Sequence, residues 1–129
     1  MAKHVFLSFV VEDLQQVSLF RGQARNENSD LIFDDYSVKE PYHSTNAEYI
    51  KRHITERIRA TSVTVCLIGS GTYRSQWVTW EIDKSYDLAN KVFGVRLYSD
   101  KTCPTPTALG SRGAAVYGWN IDAIVKAIG

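Results

Sequence analysis

Short apolar runs rich in β-branched and aromatic residues alternate along the chain with stretches of helical period, and the alternation outlines a βα sequence. His4-Val5-Phe6-Leu7-Ser8-Phe9 is a compact β-branched and aromatic run, closed by the charged pair Glu12-Asp13, which suits the first turn of a helix. Leu14, Val17 and Ala24, with Phe20 or Arg21 between, then keep helical spacing up to the polar turn Asn26-Glu27-Asn28-Ser29. A short strand, Leu31-Ile32-Phe33, ends in Asp34-Asp35. Beyond a loop carrying Tyr36, Pro41, Tyr42 and His43, Thr45-Asn46-Ala47-Glu48 has the form of a capping box. Ala47, Ile50, Ile54 and Ile58 line one face of the helix it would open, while Lys51, Arg52, Glu56, Arg57 and Arg59 fall elsewhere.

Ser62 to Ile68 is almost continuously apolar and β-branched, as expected of a central parallel strand covered on both faces. The turn Gly69-Ser70-Gly71-Thr72 feeds a helix with Ser75 as its N-cap and a buried stripe of Val78, Ile82, Ser85 or Tyr86, and Ala89. Glu81 falls beside that stripe, and Asn90-Lys91 closes the helix. Val92 to Leu97 predicts a fourth strand. Past Tyr98-Ser99-Asp100 comes a loop with Pro104, Pro106, Gly110 and Gly113, then a short edge strand within Ala114 to Tyr117 and a last helix from Asn120 to Ile128, capped by Asn120.

This alternation predicts a mostly parallel sheet with helices on both faces and right-handed crossovers. With five strands the common order is 2-1-3-4-5, and ligands then bind outside the carboxyl ends of the strands where the order reverses, between the first and third. Those ends are Ser8 to Glu12 and Gly69 to Ser75, with Asp34-Asp35 ending the adjacent second strand.

Composition narrows the partners. The 129 residues suffice for one domain with a real core, spanning residues 1–129, and 44% hydrophobic against 22% charged residues excludes a disordered chain. Fifteen basic and fourteen acidic residues leave a net charge of +1, so nothing electrostatic favours nucleic acid or an acidic membrane as the main partner. Cys66 and Cys103 have neither metal spacing nor the look of a disulfide framework, which points to a reducing compartment. His4, His43 and His53 are scattered, and no zinc site is expected. Met1-Ala2-Lys3-His4 leads at once into a strand, and no apolar run approaches a signal core or a membrane span, so a soluble cytoplasmic protein is expected.

The candidate chemistry centres on Trp77 and Glu81. Four residues apart, they stack on one face of a helix near its start, at the mouth of the sheet. The same spacing also suits a solvated glutamate favoured by the helix dipole beside a core tryptophan.

Val5-Phe6-Leu7-Ser8-Phe9 followed by Glu12-Asp13 resembles the opening box of Toll/interleukin-1 receptor (TIR) domains. Trp77-Val78-x-x-Glu81-Ile82 resembles the helix that carries the catalytic glutamate of their NAD-cleaving members. Over residues 3 to 98 the chain is similar to the TIR-like domains of bacterial anti-phage systems, in particular the signal-producing subunit of Thoeris defence. The tail from Lys101 is poorly matched. The resemblance implies a flavodoxin-like fold and cleavage of the nicotinamide–ribose bond of NAD, with ADP-ribose passed to water or closed into a cyclic product. It implies NAD as substrate rather than any cofactor, a downstream effector reached through the product, and self-association or a phage-derived trigger. The loop from Asp35 to Ser44 corresponds to the segment through which TIR domains assemble. It lacks the usual Arg-Asp-x-x-Pro-Gly signature and holds Tyr36, Lys39-Glu40-Pro41 and Tyr42-His43 instead.

The residues suit that chemistry. Nicotinamide leaves neutral and needs no acid, while the ribose gains oxocarbenium character that one carboxylate, Glu81, can stabilise in a water-poor cleft. Ordinary glycosidases use two. Ser8 and Phe9 are candidates to line the nicotinamide or ribose pocket, Phe9 being equally suited to the core. Ser70, between Gly69 and Gly71, belongs to a turn able to offer amides to a phosphate, or simply to a tight turn. Trp77 packs on substrate or anchors its helix, and Asp34 holds a ribose hydroxyl or caps its loop. Two other readings stand beside this one: a non-catalytic interaction module, and a nucleoside deoxyribosyltransferase-like enzyme, which also uses a glutamate. A Glu81 facing an open cleft without structural partners would separate catalysis from the module. A phosphoacceptor receiver is disfavoured, because Ile68-Gly69-Ser70 occupies the position of its aspartate.

Overall fold

The computed structural model describes residues 2–36 and 40–129. Strands β1 (Lys3–Ser8), β2 (Leu31–Asp34), β3 (Val63–Ile68), β4 (Lys91–Arg96) and β5 (Val116–Tyr117) form one parallel sheet in the order β2-β1-β3-β4-β5. Among the described residues five helices accompany it: α1 (Leu14–Glu27), α2 (Ala47–Arg59), α3 (Gln76–Asp87), α4 (Thr107–Gly110) and α5 (Ile121–Ile128). Single 3-10 turns at Val11–Asp13 and Thr72–Arg74 lead into α1 and α3. The strand order is the one expected, and the fold is flavodoxin-like.

Strand alternation sends side chains to opposite faces. Val5, Leu7, Val63, Val65 and Leu67 meet Val17, Phe20 and Ala24 of α1 and Ile124 and Ile128 of α5. On the other face Phe6 packs against Ile50, Ile54 and Ile58 of α2, and Cys66 and Ile68 against Val78 and Ile82 of α3 and Leu109 of α4. All six residues of β3 are buried, as its unbroken apolar sequence requires of a strand covered on both sides.

Local chemistry explains where helices begin and end. Ser75 Oγ accepts from Val78 N at 3.1 Å, and Asn120 Oδ1 from Ala123 N at 3.1 Å, so both expected N-caps are present. The capping box before α2 does not form. Turns from Pro41 to Ser44 and from Ser44 to Ala47 bring Asn46, not Thr45, to the cap position, and its amide reaches the Glu40 carboxylate instead. Leu14, read as part of the α1 stripe, is exposed, and the buried stripe starts at Val17.

The end of α3 also differs from expectation. Ala89 is not in the buried stripe but lies beyond the helix in the left-handed region, φ 63°. Ala89 N bonds Tyr86 O and Asn90 N bonds Ser85 O, the paired closure of a Schellman turn. The Asn90 amide then reaches Thr61 and Thr64 side chains at 3.1 and 3.2 Å, fixing the approach to β4. Helix α4 and the two 3-10 turns are too short to leave a periodic trace. Among the described residues no helix is long and apolar enough to cross a membrane. Met1 and Lys39 lie outside those residues.

Candidate functional site

The crevice lies where topology puts it. Helix α1 leaves β1 for one face of the sheet and α3 leaves β3 for the other, so the ends of these neighbouring strands diverge. Between them opens a cleft of about 540 Å³, within the roughly 300–1,000 Å³ of small-molecule sites. One wall runs from Phe9 to Asp13; the other consists of Ser70, Gly71, Arg74, Ser75 and Trp77.

Glu81 sits one helical turn beyond Trp77 and is fully buried. Its side chain lies among Val78, Ile82 and Ser85 in the buried face rather than beside it, which corrects the placement expected from sequence. The carboxyl does turn toward the strand ends: Ser8 Oγ donates to Glu81 Oε1 at 2.7 Å. Ser8 and Cys66 are register partners on β1 and β3, and burial, with the charge of Glu81 added, pushes the Cys66 thiol far up, so it is no nucleophile. Below the carboxyl, Thr64 Oγ1 donates to Ser85 Oγ and Ser85 Oγ to Glu81 O, both at 2.8 Å. The glutamate backbone is thereby tied to β3.

The remaining candidates divide. Phe9 is 3% exposed, packed in the α1/α5 core while its edge lines the cleft. Trp77 is 8% exposed. Its Nε1 donates to Glu40 O at 2.8 Å and its ring meets Tyr42 edge-on at 5.0 Å, so it anchors the segment after β2 to α3 while walling the cleft. Ser70 stands exposed on the rim. Asp34 is elsewhere: its carboxyl lies 2.7 Å from Arg57 Nη1 on α2, and it also accepts from Asp35 N. Arg21 pairs with Asp35 on the other side of β2. The structure thus gathers Ser8, Phe9, Ser70, Trp77 and Glu81 at the β1/β3 crossing and leaves Asp34 out.

Two residues at the cleft were not singled out as site candidates from sequence. Arg74, the one cation lining it among the described residues, places its guanidinium 5.0 Å from the Tyr73 ring and its Nε 2.7 Å from the Tyr73 hydroxyl. Asp13 is buried and accepts from the Tyr98 hydroxyl at 3.0 Å. An arginine in a short turn carries no signal of its own, and an aspartate before a helix reads as a dipole residue. Among the described residues no cluster of His, Cys, Asp or Glu suits a metal ion.

A five-stranded parallel sheet in this order, with a glutamate of the helix after β3 held against the end of β1, defines a TIR-like domain. Residues 6–102 match the family described as "Thoeris protein ThsB, TIR-like domain", and the chain belongs to that family. A protein of Bacillus cereus (strain MSX-D12), named "Putative cyclic ADP-D-ribose synthase ThsB1", is 36% identical over 106 residues, covering 78% of this chain and 55% of the relative. The chain therefore spans about half the length of that curated relative. Among solved structures, the TIR domains of the activated Roq1 resistosome superpose with a TM-score of 0.51 at 18% identity, over 97% of this chain and 69% of that one. A fungal multi-domain GH3 β-N-acetylglucosaminidase, whose structure is described as containing a GCN5-related glucosamine N-acetyltransferase region, gives 0.62 at 13% identity, over 99% of this chain and 14% of that one. Both are likenesses of fold.

Proposed function

We propose that this chain cleaves the nicotinamide–ribose bond of NAD at the β1/β3 cleft, with Glu81 as its catalytic carboxyl, and yields a cyclic ADP-ribose-type nucleotide that signals in anti-phage defence. Family membership and the name of the Bacillus relative support the class of reaction. The contact of Glu81 with Ser8, the last residue of β1 and the neighbour of the cleft-lining Phe9, supports the residue, and it is the observation the reading rests on.

The nicotinamide–ribose bond breaks with its electron pair going to the ring nitrogen, so nicotinamide departs neutral and no general acid is needed. Positive charge then builds on the ribose C1 and ring oxygen. A buried, oriented carboxyl is worth most against such charge, because little water competes and no reorganisation is required. Ser8 occupies the place of a ribose hydroxyl: substrate entering past Phe9 and Trp77 exchanges its own hydroxyl for that of Ser8 on Glu81. The diphosphate lies against Arg74 and the amides at the start of α3, where cation and helix dipole act together. Attack on C1 by a group of the same molecule closes the ring and releases a proton; attack by water gives ADP-ribose.

One observation favours the interaction-module reading. Glu81 is 0% exposed and bonded to Ser8, an arrangement that serves stability without any chemistry. Incubating the purified protein with NAD and, in parallel, with deoxynucleosides separates the readings. Nicotinamide release with a cyclic nucleotide resolved by mass spectrometry upholds the proposal, and base exchange on deoxynucleosides alone points to the transferase. Turnover of neither substrate, even with lysate of infected cells added, supports the module.

A further inference from the structure

Asp13 is costly where it stands. It closes the 3-10 turn between β1 and α1 and is only 7% exposed. Its oxygens are unequally served: Oδ1 accepts from Tyr98, 85 residues further along the chain, while Oδ2 is sealed from water with no hydrogen-bond partner among the described residues. Burial pushes the carboxyl above its usual range and Glu12 adds to this, against Tyr98, Lys101 and the Thr72 hydroxyl, which favour the charged form. An ionisable group held in this way is a drain on stability that an apolar residue of the same size would avoid.

The opposite wall is shaped around it. A β-carbon at Gly69 would lie 2.1 Å from Asp13 Oδ2 and 2.5 Å from its Cγ, so no other residue fits at 69 while the carboxyl is present. The φ of Gly69 is not positive, and its glycine supplies room rather than backbone freedom. Gly69 N donates to Thr72 Oγ1 at 2.8 Å, and that buried threonine stands beside the Asp13 carboxyl. Three segments converge here: the turn after β1, the Gly69–Thr72 turn after β3, and Tyr98 just past β4. The first two carry the walls of the cleft. Asp13 leads into α1, on the opposite sheet face from α3 and Glu81.

We propose that Asp13 is a positioning residue, clamping both walls of the cleft and Tyr98 into one frame that sets the affinity for the dinucleotide and leaves the chemistry at Glu81 untouched. The inference rests on the reading of this cleft as the NAD site. It also couples Asp13 to Gly69 sterically, since the β-carbon of an alanine at 69 needs the space the carboxyl fills.

The test is the kinetics of nicotinamide release in Asp13→Ala, Gly69→Ala, Tyr98→Phe and the Asp13→Ala/Gly69→Ala pair, with amide hydrogen exchange across both turns. Each alanine substitution is expected to raise KM for NAD about tenfold with kcat within about twofold. The pair is no worse than the poorer single variant, because the new β-carbon enters vacated space. Tyr98→Phe raises KM less, and Asp13→Asn, whose Oδ1 still accepts from Tyr98, recovers most of the lost affinity. Unchanged KM in Asp13→Ala, multiplied effects in the pair, or a fall in kcat at constant KM overturns the proposal. Should the wild type turn over no NAD, the NAD reading fails, and exchange decides the clamp by itself. Joint loss of protection at 10–13 and 69–72 in Asp13→Ala upholds it, and unchanged protection refutes it.

Discussion

The hydroxyl of Ser8 stands 2.7 Å from Oε1 of Glu81, linking residues 73 positions apart where β1 ends beside α3. Both are buried, so loss of the donor removes a hydrogen bond from a carboxyl in a place water does not reach. Ser8→Ala is expected to lower unfolding free energy by about 1–3 kcal/mol. Urea unfolding checks this, and a variant as stable as the wild type would show that the contact contributes nothing.

Trp77 ties the segment after β2 to α3 through its indole N–H. Trp77→Phe keeps a ring against Tyr42 but loses the bond to Glu40 O, and it should cost about 1 kcal/mol. Trp77→Ala, which also empties buried volume, should cost about 3–5 kcal/mol. Equal losses in the two variants would mean that the hydrogen bond, not the ring, is the whole of the anchor.

Ala89 holds a left-handed backbone that only glycine adopts freely. Ala89→Gly is predicted to stabilise the fold by about 0.5–1 kcal/mol, the relieved strain exceeding the added freedom of the unfolded chain. The midpoint of thermal unfolding should rise. A fall would place Ala89 in some other backbone conformation.

Asp13 gives stability a pH dependence of known sign. Its folded pKa lies above that of the unfolded chain, with burial as the main cause. Such a group contributes most when protonated in both states, below about pH 3.9, and its contribution is lost as pH rises through the higher folded value. Asp13→Asn does not ionise, so it should gain on the wild type between about pH 4 and pH 7. Parallel urea titrations at the two ends of that range measure it, and a constant difference would contradict the raised pKa.

Much of this fold is legible in the sequence because its elements announce themselves by period. The unbroken run through β3, the Ala47/Ile50/Ile54/Ile58 stripe and the caps at Ser75 and Asn120 are each set by neighbours in the chain. What could not be read depends on residues brought from afar. Thr45 loses its capping role to turns beginning at Pro41, and Ala89 leaves its helix because Asn90 finds partners on Thr61 and Thr64. The topological switch point and the Trp77/Glu81 spacing predict that Ser8, Phe9, Ser70, Trp77 and Glu81 gather about the ends of β1 and β3, where Phe9, Ser70 and Trp77 line the cleft and Ser8 and Glu81 are buried beside it. Asp34 is drawn away by Arg57, an ion pair invisible to local pattern. The fit of Asp13 against Gly69 is likewise a tertiary fact, since nothing near either residue mentions the other.

The most direct measurement compares nicotinamide release from NAD by the wild type and by Glu81→Gln, with unfolding curves recorded on both. The glutamine can still accept from Ser8, so the fold should persist with its stability changed by less than about 1 kcal/mol. Loss of the carboxylate should slow release by about 10²-fold or more. Release by the wild type with near abolition in a folded Glu81→Gln protein is the predicted result; equal rates in the two would contradict the assignment of Glu81.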